Sequence, residues 1–160
     1  MVSNNLSGPN SKLWSQQYNR HASCINTLSP ECYGDAYSQG MEVVDYFART
    51  FQLFRTLDTF TTLSLAGIEP SPDATFSLAS VRKALEDYSG GRVVLNCRGP
   101  EKDVLHEALY AYFVQGSLQS GTFVPAQTLG VKSSRGNCAD SVRYLPKKCK
   151  SGTCGRVGEL

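Results

Sequence analysis

Few side chains in this sequence combine a reactive type with a spacing that would let them act together. Gln16, Gln17, Arg20 and His21 stand at positions i, i+1, i+4 and i+5. On an α-helix these positions form two adjacent stripes, Gln16 with Arg20 and Gln17 with His21. Histidine has an unperturbed pKa near neutrality, so it takes or gives a proton under working conditions. A guanidinium grips a phosphate through two parallel hydrogen bonds. Glutamine hydrogen-bonds but transfers no proton. The available chemistry is therefore one positive charge, hydrogen bonding and one proton-transfer group. Taken alone, a histidine on a short helix is more often a surface or satisfied residue than a catalyst. The other histidine, His106, begins a strand-like segment and has no matching pattern, so it is assigned no role.

Cysteines are the second chemical signal. Cys24, Cys32, Cys97, Cys138, Cys149 and Cys154 are even in number and widely spaced, which favours disulfides and an oxidising compartment. No Cys-x-x-Cys pair occurs, so a zinc site is not expected; no other metal-binding spacing occurs either, and no cofactor is expected. Cys149 and Cys154 bracket Lys-Ser-Gly-Thr, and a small local disulfide is the simplest reading. A secretory leader would need a basic start and an apolar run of ~7–15 residues. The chain instead begins MVSNNLSGPNSK, polar and with Pro9. Asn5-Leu6-Ser7 is a glycosylation sequon, usable only in the secretory path.

Composition narrows the class. With 160 residues, 41% apolar and 19% charged, the chain suits one globular domain, taken as residues 1–160. No apolar run reaches the ~18–20 residues of a membrane helix, so no membrane partner is expected. The net charge of +2 does not by itself imply a nucleic-acid partner. Residues 126–160 form a loop-rich basic segment. From Lys132 to Arg156 there are seven basic residues (Lys132, Arg135, Arg143, Lys147, Lys148, Lys150, Arg156) against Asp140 alone. A solvated end is the favoured reading over a phosphate-binding one.

The elements that must position these residues follow from periodicity. Residues 1–11 read as loop and Lys12–Ala22 as a short helix with Trp14 and Tyr18 on one face. Residues 23–34 read as loop. The strongest helix signal runs from about Asp35 to Thr56, where Val44, Phe47, Phe51 and Phe54 repeat at helical spacing and are expected to be core. Asp58 opens a further short helix ending at Gly67. Ser77 caps a helix whose Leu78, Val81, Leu85 and Tyr88 share a face, ending at Gly90-Gly91. Arg92–Cys97 reads as a buried strand. Leu105–Gln115 alternates like a second strand, and Thr122–Val124 like a third. Helices first and antiparallel strands later make the class α+β.

The segment Leu13-Trp14-Ser15-Gln16-Gln17-Tyr18-Asn19-Arg20-His21-Ala22-Ser23-Cys24 resembles the second active-site motif of T2-type ribonucleases, FWxHEWxKHGTC. Trp14, His21 and Cys24 match identically. Leu13, Tyr18, Arg20, Ala22 and Ser23 are similar replacements. Gln16 and Gln17 stand where the family has His and Glu. The stretch INTLSPECYGDAYSQGMEVVDYFARTFQLFRTL, then AGIEPS, YAYFVQGSLQSGTFVPA and SVRYLPK, resemble later family segments in order, particularly of fungal members. The likeness runs from about Leu13 to Lys147.

The resemblance implies a T2-like fold with helices packed on an antiparallel sheet, and RNA as partner. It implies cleavage by transphosphorylation, in which the ribose 2′-OH attacks the adjacent phosphorus and leaves a 2′,3′-cyclic phosphate. Carried over position by position, His21, Gln17 and Arg20 take the catalytic places, and Gln16 and Trp14 the substrate-binding ones. His21 keeps proton transfer and Arg20 keeps positive charge, while Gln17 cannot act as an acid or base. The family's first motif, HGLWP, has no match here, so the N-terminal part of the family fold is expected to be missing and activity lost or strongly reduced. The resemblance also pairs Cys97 with Cys138 in a disulfide. Family partners of Cys24 and Cys32 lie in the unmatched half, which leaves these two free or paired with each other. By the same resemblance the location is extracellular, although no signal peptide is present in this chain. A non-catalytic RNA- or protein-binding remnant is the competing reading, and an incomplete gene product of a longer enzyme a third.

The expected exposed apolar surface lies near Trp14 and Tyr18.

Overall fold

A computed structural model describes residues 10–127 and 136–147. The Asn5 sequon, the Cys149–Cys154 loop and much of the basic segment lie outside these residues. The described chain gathers into two compact units. One holds residues up to Asp58 together with Tyr112–Val124. The other holds Thr59–Ala111 and the residues from Pro125 onward.

In the first unit, α1 spans Ser11–His21 and α2 spans Met41–Arg55. Two 3₁₀ stretches, Asn26–Leu28 and Pro30–Ala36, replace the loop expected between them. Their i→i+3 bonds run from Leu28 N–H to the Ile25 carbonyl and from Cys32 N–H to that of Ser29. Pro30 suits the first turn because it has no N–H to leave unpaired. α2 begins later than the Asp35 expected from periodicity. Tyr37 is extended and Gly40 is left-handed at φ +95°, so no helix crosses them. β4 (Tyr112–Gln115) pairs with β5 (Thr122–Pro125) across a turn opened by Gly116 at φ +96°. The unit's core is small. Ala22, Leu28 and Leu118 are buried, with Tyr18, Ile25, Tyr46, Val114 and Phe123 packed around them.

The stripe on α2 is not core. Val44, Phe51 and Phe54 are 67%, 59% and 66% exposed, and no residue of α2 is fully buried. The opposite face, through Tyr46 and Arg49, meets the core instead. Among the described residues, Phe47 alone of the stripe finds ring partners, Tyr46 at 5.1 Å and, from α1, Trp14 at 5.8 Å between centroids.

In the second unit, α3 (Thr59–Leu65) precedes β1 (Phe76–Ser77), α4 (Leu78–Ser89), β2 (Val93–Arg98), β3 (Val104–Tyr110) and, after the hairpin, β6 (Ser141–Val142). β2 and β3 are antiparallel with Leu95 opposite Ala108, and β1 pairs antiparallel with β6. Leu78, Val81 and Leu85 of α4 are buried with Val93, Leu95 and Val142. Tyr88, expected on the same face, is 45% exposed at the last turn. Ser77 occupies the N-cap position of α4 without a side-chain cap bond. Gly90, at φ +69°, closes the helix as expected.

The alternating run 105–115 is two strands, not one. Ala111 interrupts it, and its carbonyl accepts the Ala126 N–H at 2.9 Å. Residues before Ala111 pair with β2, and those after it pair with β5. The Cys97–Cys138 disulfide is present and spans 41 residues. Cys24 and Cys32 are free thiols at the surface.

Candidate active site

α1 presents two unlike sides. On one, Tyr18 meets Tyr46 edge-on, with centroids 5.7 Å apart and planes at 86°. Ala22 follows the helix end, is 2% exposed, and donates its N–H to the Tyr18 carbonyl at 2.8 Å. This side anchors the helix. Trp14 sits at its edge, half exposed and half packed on Phe47.

The other side carries Gln16, Gln17, Arg20 and His21, all exposed. Helical geometry sets them on adjacent stripes one turn apart, as the sequence spacing requires. Among the described residues none of the four makes a side-chain hydrogen bond or an ion pair. Arg20 and His21 are the basic side chains of that surface. They fall in the last turn of α1, where the negative end of the helix dipole favours positive charge. Trp14 lies beside His21 around the helix, at i−7. His106 is an exposed residue of β3 in the second unit. No group of three or more His, Cys, Asp or Glu suited to a metal occurs among the described residues. None of their helices is long and apolar enough to cross a membrane.

Next to this surface, on the Tyr18 side of α1, lies an open cleft of about 580 Å³ within the first unit. It runs between α1, the 3₁₀ turns and the start of α2. Tyr18, Tyr37 and Glu42 line it, and sequence reasoning assigned Tyr37 and Glu42 no role. Burial first, and then the Glu42 charge, pushes the Tyr18 phenol above its ordinary pKa. The Tyr37 phenol is raised by burial and by hydrogen bonding to the Glu42 carboxylate.

Comparison with known proteins decides the family. The Ribonuclease T2 family model matches residues 2–138. The chain belongs to the ribonuclease T2 family. It is 42% identical to a ribonuclease T2-like protein of Aspergillus fumigatus over 88% of this chain and 33% of that protein. To ribonuclease Trv of Hypocrea rufa it is 40% identical, over 88% of this chain and 57% of the relative. The crystal structure of Actibind, a T2 ribonuclease, superposes with a TM-score of 0.77 at 37% identity, covering 88% of this chain and 56% of Actibind. The chain thus spans between a third and somewhat over half the length of these relatives. The ribonuclease T2 assignment and the α+β fold agree with the expectation from the motif segments. So does the Cys97–Cys138 bond.

Proposed function

We propose that this ribonuclease T2 chain binds RNA phosphate on the outer side of α1 and that the 160 residues cleave RNA slowly or not at all. Transphosphorylation needs one group to take the 2′-OH proton and another to protonate the leaving 5′-oxygen. One observation carries the reading: His21 is the sole proton-transfer group on its stripe, with Gln16 and Gln17 beside it where the family has His and Glu. In this reading His21 holds the acid–base position and Arg20 grips a phosphate oxygen pair. Gln16 and Gln17 donate hydrogen bonds to the phosphate, and the free half of Trp14 meets the neighbouring sugar or base. Loss of one member of an acid–base pair typically costs ~10²–10⁴-fold in rate. The positive end of the surface survives that loss, because Arg20 is exposed and has no ion-pair partner among the described residues. An oxidising compartment fits the Cys97–Cys138 bond.

An RNA cleavage assay across pH ~4–8, the range over which histidine changes charge, tests this. It would score 2′,3′-cyclic phosphate ends for the purified chain and for His21→Ala. Cleavage no faster than in His21→Ala is the expected result. Cleavage that disappears in His21→Ala would show a working second acid–base group and sink the slow-enzyme reading. Salt-sensitive RNA binding without cleavage would identify a binding module.

A further inference from the structure

The cleft beside α1 is not explained by the phosphate-binding reading. Its charge has the wrong sign for phosphate. Among the described residues its lining holds one carboxylate, Glu42, and no lysine, arginine or histidine. Its walls are the rings of Tyr18 and Tyr37, each held by a second ring. Tyr46 sits edge-on to Tyr18 at 5.7 Å, and Tyr33 lies 5.8 Å from Tyr37. Asn19, Asn26 and Gln39 add amide oxygens that can accept hydrogen bonds. One oxygen of Glu42, Oε2, is shut off from solvent and has no hydrogen-bond partner among the described residues, although the Tyr37 hydroxyl interacts with the same carboxylate. Glu42 as a whole stays partly exposed, but buried polar atoms are almost always partnered, and a carboxylate oxygen accepts most strongly from a charged donor.

We propose that this cleft is a binding site for one organic cation, a guanidinium or an alkylammonium. The cation sits between the faces of Tyr18 and Tyr37, and Glu42 supplies the opposing charge. Tyrosine faces attract cations within about 6 Å of the ring centre. Amide oxygens receive the remaining N–H donors. The volume is in the range of small-molecule sites, with room for the cation and its alkyl stem. Two sources offer this chemistry, a basic side chain of another polypeptide and a free polyamine. The site is independent of any RNA chemistry on the other side of α1.

Calorimetric titration of the full chain with N-acetyl-arginine amide, its neutral isostere N-acetyl-citrulline amide, spermidine and guanosine monophosphate tests the proposal. The arginine derivative is expected to bind at least about tenfold tighter than the citrulline one, because the two share a shape and citrulline lacks the charge and one donor group. Glu42→Gln is expected to abolish that preference. Since the paired ligands are compared on the unaltered protein first, a poorly folding Glu42→Gln chain would not spare the proposal. Spermidine binding as tightly as the arginine derivative supports a free polyamine, and arginine binding alone supports a side chain. Equal affinity for arginine and citrulline derivatives, or no binding of either, overturns the proposal. So does a preference that persists in folded Glu42→Gln. Guanosine monophosphate binding where the arginine derivative does not would overturn it in favour of a nucleobase site.

Discussion

Arg49 holds the first unit together through contacts that no sequence pattern announces. Its Nε donates to the Leu118 carbonyl at 2.9 Å and its Nη2 to the Gly121 carbonyl. Its guanidinium also lies 4.9 Å from the centre of the Phe123 ring. Lysine has neither the fork nor the planar face to do all three. Arg49→Lys is therefore expected to lower unfolding free energy by about 2 kcal/mol, read as a shift in the urea midpoint at constant slope. Tyr33 gives a pH prediction. Burial, with the Asp45 carboxylate that accepts its hydroxyl at 3.0 Å, pushes its phenol up to about 12. A raised pKa means that its contribution is complete below the unfolded phenol value of ~10 and fades as pH rises through about 12. Asp45→Asn should bring the Tyr33 transition down, measured as the tyrosinate absorbance that Tyr33→Phe removes. Asp103 gives the opposite sign. The Arg143 side chain, hydrogen-bonded to it at 2.7 Å, holds its carboxyl below the usual range. That stabilisation is present above the ordinary carboxylate pKa and is lost as pH falls through the lowered one. The Tm gap between the protein and Arg143→Gln should accordingly shrink on acidification. The placement of Gln16, Gln17, Arg20 and His21 on one helix was legible because helical spacing relates them. Glu42 and Tyr37 were not, because they reach the Tyr18 side of α1 only through the turns between Pro30 and Gly40.

At the scale of elements, the second unit depends on a crosslink and a glycine that lie close together. The disulfide joins β2 to the segment before β6, and the Asn137 side chain accepts the Cys97 N–H at 2.7 Å. Closing 41 residues restricts the unfolded chain by about 4 kcal/mol in the loop-entropy picture. The Cys97→Ala/Cys138→Ala pair should lose most of that in a denaturant melt. Gly136, at φ +71°, lies so close to the Leu95 carbonyl that a Cβ would strike it. Gly136→Ala is expected to cost more than about 2 kcal/mol, from both the backbone conformation and the collision. Helix α4 was legible in the sequence because it buries the face that its period defines, and strand β2 because its unbroken apolar run Val93–Leu95 is buried on both faces. The run 105–115 was not, because alternation identifies a strand but not its partner. Two different partners divide it at Ala111. The stripe of α2 misled for a related reason: periodicity locates an apolar face without locating what covers it.

At the scale of the whole chain, that uncovered stripe is a large apolar surface feature among the described residues. Val44, Phe51 and Phe54, with half of Trp14, leave apolar area open to water. A dye that fluoresces on apolar surfaces should bind the native protein. The Phe51→Ser/Phe54→Ser pair should weaken that signal while leaving Tm within about 2 °C, since neither ring is buried. A fall of many degrees would show that the rings are covered after all. The two units also share the chain unevenly, because Tyr112–Val124 belongs with residues up to Asp58. Leu118 thus completes the cluster that Ala22 and Leu28 begin some ninety positions earlier. On a ribosome adding ~5–20 residues per second, Leu28 would emerge roughly 5–18 s before its partner. For that interval the nascent first unit has no closed core, so its packing has to wait for synthesis of the second hairpin instead of following its own helices out of the ribosome.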